Sequence, residues 1–167
     1  MQLPKRRSEK LKIYDEGPIY LTADGLARLK ETLERMKREL PALAAEAERT
    51  AAYGDRSDNA EYKDAKANLR RTSWGILGIQ EQLKRVVIIP SGSSATGAVQ
   101  LGSTVTLETG GAEKTFRILG PRETDPGAGA ISHESPLGKA LVGHVVNDTV
   151  TITVGSGERT YRILKVF

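Results

Sequence analysis

Two carboxylates three residues apart, Asp55 and Asp58, stand in the acidic turn Gly54-Asp55-Arg56-Ser57-Asp58-Asn59-Ala60-Glu61-Tyr62. At the start of a helix that spacing lets both side chains point off the end. Two aspartates supply hard oxygen donors suited to Mg²⁺, but this ion takes six ligands, so the rest of the shell must come from outside the chain. A metal held in that way can polarise water for attack on a phosphodiester, as in two-metal phosphoryl transfer. The same residues also have a purely structural account. Asp55 after Gly54 is ordinary turn chemistry, and Asp58 with Glu61 three residues later has capping-box spacing. Spacing alone favours the structural account.

The turn lies between two heptad-patterned segments. Upstream, apolar or small residues fall at Leu26, Leu29, Leu33, Met36, Leu40, Leu43, Ala47 and Thr50. Downstream they fall at Tyr62, Ala65, Leu69, Thr72, Ile76, Ile79, Leu83 and Val86. Steps of three and four alternate without a slip, the spacing of a coiled-coil seam. Two such helices joined by a short turn make an antiparallel hairpin with the turn at its far tip. At about 1.5 Å per residue each arm is on the order of 40 Å long. The chain thus reads as a rod with carboxylates on its end.

Thr22 is the expected N-cap of the first helix, with Asp24 in its first turn. Gly54 is expected to end that helix, and Pro41 inside it should bend the rod. The second helix should start at Ser57 or Asp58 and run to about Val87. Gly75 and Gly78 weaken it locally and should face Met36, where a bulky neighbour needs room. Trp74 lies off the seam and should pack on the N-terminal tail or on the second domain.

Val86 to Ile89, then Pro90-Ser91-Gly92-Ser93-Ser94, marks a linker, and beyond it the pattern changes to β. Thr104 to Leu119 recurs as Thr149 to Leu164, with the same residue at nine of sixteen positions. Each copy reads as strand, glycine turn, strand, so the region is one small sheet built of two similar hairpins. Between them Ser135-Pro136 opens a short helix to Val142, serine as cap and proline first. The fold class is α+β: a helical coiled-coil hairpin followed by an antiparallel sheet domain with one short helix. The expected divisions are a basic, disordered tail over 1–20, the hairpin over 21–89, a linker over 90–98 and the second domain over 99–167.

Composition narrows the function. There is no cysteine, so disulfides and thiolate metal sites are excluded. That fits a cytoplasmic protein. No apolar run is long enough to span a bilayer. The net charge of +4 permits nucleic-acid or acidic-protein partners without requiring them. Lys5, Arg6, Arg7, Lys10 and Lys12 offer a grip on RNA or DNA, although a solvated tail is the commoner meaning of such a run. His133 and His144 have no carboxylate or cysteine cluster around them in sequence. No glycine-rich phosphate loop precedes a helix.

The string from Gly54 to Tyr62 closely resembles the tip motif of the bacterial Gre transcript-cleavage factors, GreA and GreB. Leu21-Thr22-Ala23-Asp24-Gly25 and Pro41 fit the same family, and Ile131 to Gly143 resembles its C-terminal signature. The resemblance runs from about Ile19 to Phe167. It implies an FKBP-like second domain and a transcription elongation factor that binds bacterial RNA polymerase as a monomer, with the rod in the secondary channel. Asp55 and Asp58 then match the two tip acids that help hold the second Mg²⁺ and the attacking water. Glu61 is a supporting neighbour, and backtracked RNA is cut in the polymerase site. The protein would be an accessory to that cleavage and no enzyme by itself.

The family also implies a basic patch behind the tip that contacts the RNA 3′ segment. Lys66 matches one of its positions, and Arg70 and Arg71 lie beside it. Phosphate contact there would be salt-dependent and blind to sequence, while the ordinary alternative is a solvated face paired with Glu46 or Glu48. Glu134, Ser135 and Pro136 match the loop that family members press on the polymerase. Prolyl-isomerase activity is not expected, because beyond Pro90 only Phe116, Tyr161 and Phe167 are aromatic. One departure stands out. The family usually carries glutamate where Asp58 stands, so the carboxylate retreats by roughly an ångström, an error that can cost on the order of a hundredfold in rate. Two other functions remain: a Gre-like inhibitor that fills the channel without cleavage, and a coiled-coil adaptor whose acidic turn is only a turn.

Overall fold

The computed structural model describes residues 17–53, 59–90, 97–155 and 157–167. The basic tail through residue 16, the turn at 54–58, and residues 91–96 and 156 lie outside them.

The chain opens with β1 (Ile19–Leu21) and continues into α1 (Ala23–Ala51). Thr22 caps α1 as expected, its Oγ1 accepting the Gly25 N–H at 3.0 Å. The helix continues through Pro41 as one element. The second arm is α2 (Ala60–Leu83). All sixteen seam positions read from the sequence are buried or half-buried. Leu33, Ala47 and Thr50 of α1 and Ala65 and Ile76 of α2 are the most deeply covered. Such a narrow stripe is what an antiparallel pair needs, because each helix has one neighbour to bury against. Gly75 does face Met36, whose Sδ would lie 3.7 Å from any Cβ added there. Gly78 has open space instead, so the expected crowding holds for one of the two glycines.

The end of α2 departs from the sequence reading. The helix stops at Leu83, and Val86–Ile88 forms β2, which pairs in parallel with β1 in the register Ile19↔Val86. The Ile19 N–H donates to the Arg85 carbonyl at 2.9 Å and the Ile89 N–H to the Leu21 carbonyl at 2.8 Å. Val86, Val87 and Ile88 are β-branched, which favours extended backbone over another helical turn. The two ends of the rod are thus tied to each other at its base.

The second domain is a five-stranded sheet in the order β5-β4-β3-β7-β6. Its strands are β3 (Thr104–Thr109), β4 (Ala112–Leu119), β5 (Ala130–Ser132), β6 (Thr149–Val154) and β7 (Gly157–Val166). The two expected hairpins are β3-β4 and β6-β7, joined through antiparallel β3 and β7. Gly110 and Gly111 turn the first of them with φ of 59° and 78°, the geometry a two-residue hairpin loop requires. One strand was not expected: β5 adds to β4 in parallel. The short helix α3 (Pro136–Leu141) starts at the Ser135 cap and packs against β6. Val105, Leu107, Ile118, Leu141 and Ile163 are fully buried and form the centre of this core.

Candidate functional site

The tip is closed by one side chain. Asn59 caps α2, its Oδ1 accepting the Tyr62 N–H at 3.0 Å. Its Nδ2 reaches across to α1 and donates to the carbonyls of Thr50 at 2.9 Å and Tyr53 at 2.7 Å. A helix leaves its last carbonyls and its first N–H groups unpaired, and one amide here serves both ends. This corrects the expected start of α2 at Ser57 or Asp58: the cap is Asn59, and the residue three along is Tyr62, not Glu61. The preference of asparagine for caps was the available signal. Thr50 strengthens the same corner, buried, with its hydroxyl donating to the Glu46 carbonyl at 2.9 Å.

Asp55 and Asp58 themselves lie outside the described residues. They belong to the short segment that connects Tyr53 to Asn59. Glu61 is exposed in the first turn of α2, where the N-terminal end of the helix dipole favours a negative charge. Among the described residues no three His, Cys, Asp or Glu side chains cluster as a metal site.

Behind the tip the two arms differ. On α1, Arg49 grips Glu46 through two bonds of 3.0 and 2.6 Å and sits 6.0 Å from the Tyr53 ring centroid. The hydrogen bond from Arg49 holds the Glu46 carboxyl below its usual range, and Glu46 in turn raises Arg49. Glu46 is therefore not the partner of Lys66, as one expectation had it. On α2, Lys63, Lys66, Arg70 and Arg71 are all exposed and share a face. With Ala67 and Trp74 they line a groove of about 410 Å³. The Lys66 ammonium lies 5.5 Å from the Tyr62 ring centroid, and Arg71 donates to Asn68 at 3.2 Å. Trp74 does not pack on the described part of the second domain; it is 64% exposed.

At the other end of the rod the second domain is docked by Glu123. Its carboxylate accepts the Thr22 N–H at 2.5 Å, the Thr22 hydroxyl at 2.7 Å and the Arg28 guanidinium at 3.2 Å. The side chain is only 6% exposed. Gly25 makes room for it, since any Cβ there would collide with the carboxylate. Gly120 likewise lies against the Tyr20 carbonyl. Arg122 adds a 3.0 Å bond to Gln82 of α2. The Glu123 contacts span about a hundred residues of sequence and the Arg122–Gln82 bond forty, and no local pattern announced them.

Glu134, Ser135 and Pro136 lie beside this junction. The Ser135 hydroxyl accepts the Gly138 N–H at 3.0 Å and donates to the Ser132 carbonyl at 2.6 Å, so it starts α3 as expected. Glu134 is exposed next to His133, whose ring meets Tyr20 edge-on at 5.5 Å between centroids. The loop is thus fixed relative to the base of the rod.

The described residues form a long two-helix rod, its far ends bridged by Asn59, on a small β domain. The sequence models for the transcription elongation factor N-terminal region and for the GreA/GreB C-terminal region match residues 19–88 and 94–167. Transcription elongation factor GreA of Chloroflexus aggregans is 40% identical over 154 residues, 90% of this chain and 98% of the relative. GreA of Thermomicrobium roseum is 38% identical over 128 residues, 75% of this chain and 82% of the relative. The chain therefore belongs to the GreA/GreB family of transcription elongation factors. Among solved structures it is similar to GreA factor homolog 1 of Thermus thermophilus, 29% identical with a TM-score of 0.41, covering 90% of this chain and 99% of that one.

Proposed function

We propose that the protein binds bacterial RNA polymerase, inserts the hairpin into its secondary channel and stimulates cleavage of backtracked RNA. The observation that carries this is the tip: Asn59 ties together the two helix ends that the segment with Asp55 and Asp58 connects, and each arm is about 40 Å long. Two aspartates fit a share of a Mg²⁺ shell and leave the remaining positions to the polymerase. When bound, the ion would supply Lewis acidity to the attacking water. Asp55 and Asp58 would orient that ion and the water, with Glu61 adding negative charge beside them. Lys66, Arg70 and Arg71 would neutralise phosphates of the RNA 3′ segment. Glu134, Ser135 and Pro136 would contact the polymerase from the base of the rod.

The test is to add the protein to a stalled, backtracked polymerase complex and follow the RNA. Shortened transcripts that resume elongation are expected. Blocked synthesis without shortening would instead mark a channel-occupying inhibitor, a reading favoured by the shorter side chain at Asp58. Asp58→Glu separates the two, raising the cleavage rate by on the order of ten- to a hundredfold if the missing methylene limits it. An unchanged rate would make the shortening irrelevant. No effect and no polymerase binding would leave only an adaptor.

A further inference from the structure

The outer edge of β2 is open. The Ile19 N–H bonds the Arg85 carbonyl and the Ile89 N–H bonds the Leu21 carbonyl, so Arg85 and Ile89 turn backbone groups toward β1. Along a strand these groups alternate sides, and Val86 and Ile88 therefore turn theirs away. Among the described residues β1 is the only strand paired with β2, and nothing there bonds the outward groups of Val86 and Ile88. Val87 is 44% and Ile88 56% exposed. Val86, Val87, Ile88 and Ile89 are all β-branched and uncharged. An apolar, unpaired edge of this kind is a template for another strand, and proteins normally cover it. The opposite edge of the pair is already closed, because Gly120 lies against the Tyr20 carbonyl.

We infer that residues 10–14 of the N-terminal segment add to this edge as a third strand, antiparallel to β2. Leu11 and Ile13 alternate with Lys10, Lys12 and Tyr14, the period of a strand with one apolar face. Ile19 and Leu21 pair with Val86 and Ile88, so these four side chains share a face. Ile19 and Leu21 are buried on it, and Ile88 is its exposed end. Leu11 and Ile13 extend that face over Ile88. The chain also arrives at the right place. Arg85, just before β2, donates to the Gly17 carbonyl at 3.3 Å, so the segment preceding Gly17 begins beside the start of β2. The slot beyond β2 lies two strand spacings from β1, about 10 Å, and residues 15–18 can span about 13 Å. A segment that enters there runs back along β2, which sets the antiparallel sense. So short a tether holds the strand at an effective concentration on the order of millimolar, which favours it over a second copy or a partner's strand. The GreA/GreB N-terminal match begins at residue 19, so this strand lies outside the matched region.

Residue-resolved amide hydrogen exchange on the full-length protein tests this. The Val86 and Ile88 N–H groups point into the inferred pairing, whereas those of Ile19 and Ile89 belong to the β1-β2 pair and serve as the control. Val86 and Ile88 should exchange about tenfold or more slowly than open amides, equally at two protein concentrations. Leu11→Ser with Ile13→Ser, in the full-length chain, should return both to open rates while Ile19, Ile89 and thermal unfolding stay unchanged. Open rates at Val86 and Ile88 in the unaltered protein overturn the inference and leave the edge to a strand from another protein. Protection that survives the double substitution overturns it in favour of another part of the chain. Protection that grows with concentration overturns it in favour of a second copy. Should the double substitution loosen Ile19 and Ile89 as well, cross-strand proton contacts in the unaltered protein decide. They are expected between residues 10–14 and Val86–Ile88, and their absence overturns the inference.

Discussion

At the junction of rod and base one carboxylate, Glu123, answers three donors and is almost withdrawn from water. On the outer face of α2 four cations stand in solvent, with no carboxylate against them among the described residues. A charge can leave water only where hydrogen bonds replace its hydration, and the Thr22 backbone, the Thr22 hydroxyl and Arg28 provide that at Glu123. Solvated charges add little to stability, whether paired or not. The fold therefore accounts for Glu123 completely and does not account for Lys63, Lys66, Arg70 and Arg71, whose clustering around an exposed Trp74 calls for something outside the chain. The tip is of a third kind: Asn59 serves the ends of both helices, and Asp55 and Asp58 lie outside the described residues.

The largest effect on the folded protein should come from breaking the junction. Glu123→Ala leaves the Thr22 donors and Arg28 without their acceptor, and should cost about 2–3 kcal/mol in denaturant unfolding. Glu123→Gln keeps an acceptor and should cost less. If Glu123→Ala were neutral, the junction would be no more structural than the open face.

Asn59→Ala should come next, at about 1–2 kcal/mol, combining a lost N-cap with carbonyls left unpaired at the end of α1. Hydrogen exchange should report it as faster opening at the Ala51 and Ala60 ends of the two helices, with the β domain unchanged. Asn59→Asp, which keeps the cap acceptor but loses the bridging donor, should fall between.

The local features of this fold were legible in the sequence. The seam, the Thr22 and Ser135 caps and the two glycine-turned hairpins each rest on residues within a few positions of one another. What escaped was long in sequence and short in structure. The β1-β2 pair is three residues on each side with the whole rod between them, and β5 is equally short. Glu123 looks like any surface acid until Thr22 is brought to it. Trp74 was expected to pack on the N-terminal tail or the second domain; among the described residues it is exposed, and the tail lies outside them. At the site, the grouping of Lys66, Arg70 and Arg71 could be read from helical spacing, whereas the role of Asn59 required both helix ends to be seen together.

The smallest effect on the fold should follow from removing the open charges. Lys66→Ala with Arg70→Ala should change stability by less than about 0.5 kcal/mol. A loss above about 1 kcal/mol would show that the face supports the rod and would erase its contrast with Glu123.

The central claim is that the tip acids act in a partner's active site and not in their own fold. It is tested most directly with Asp55→Ala in backtracked polymerase complexes, measuring RNA cleavage alongside competition with the unaltered protein for the polymerase. The account predicts that stimulated cleavage falls by on the order of a hundredfold or more while competition and thermal unfolding stay unchanged. Cleavage that persists in Asp55→Ala at the original rate would contradict it.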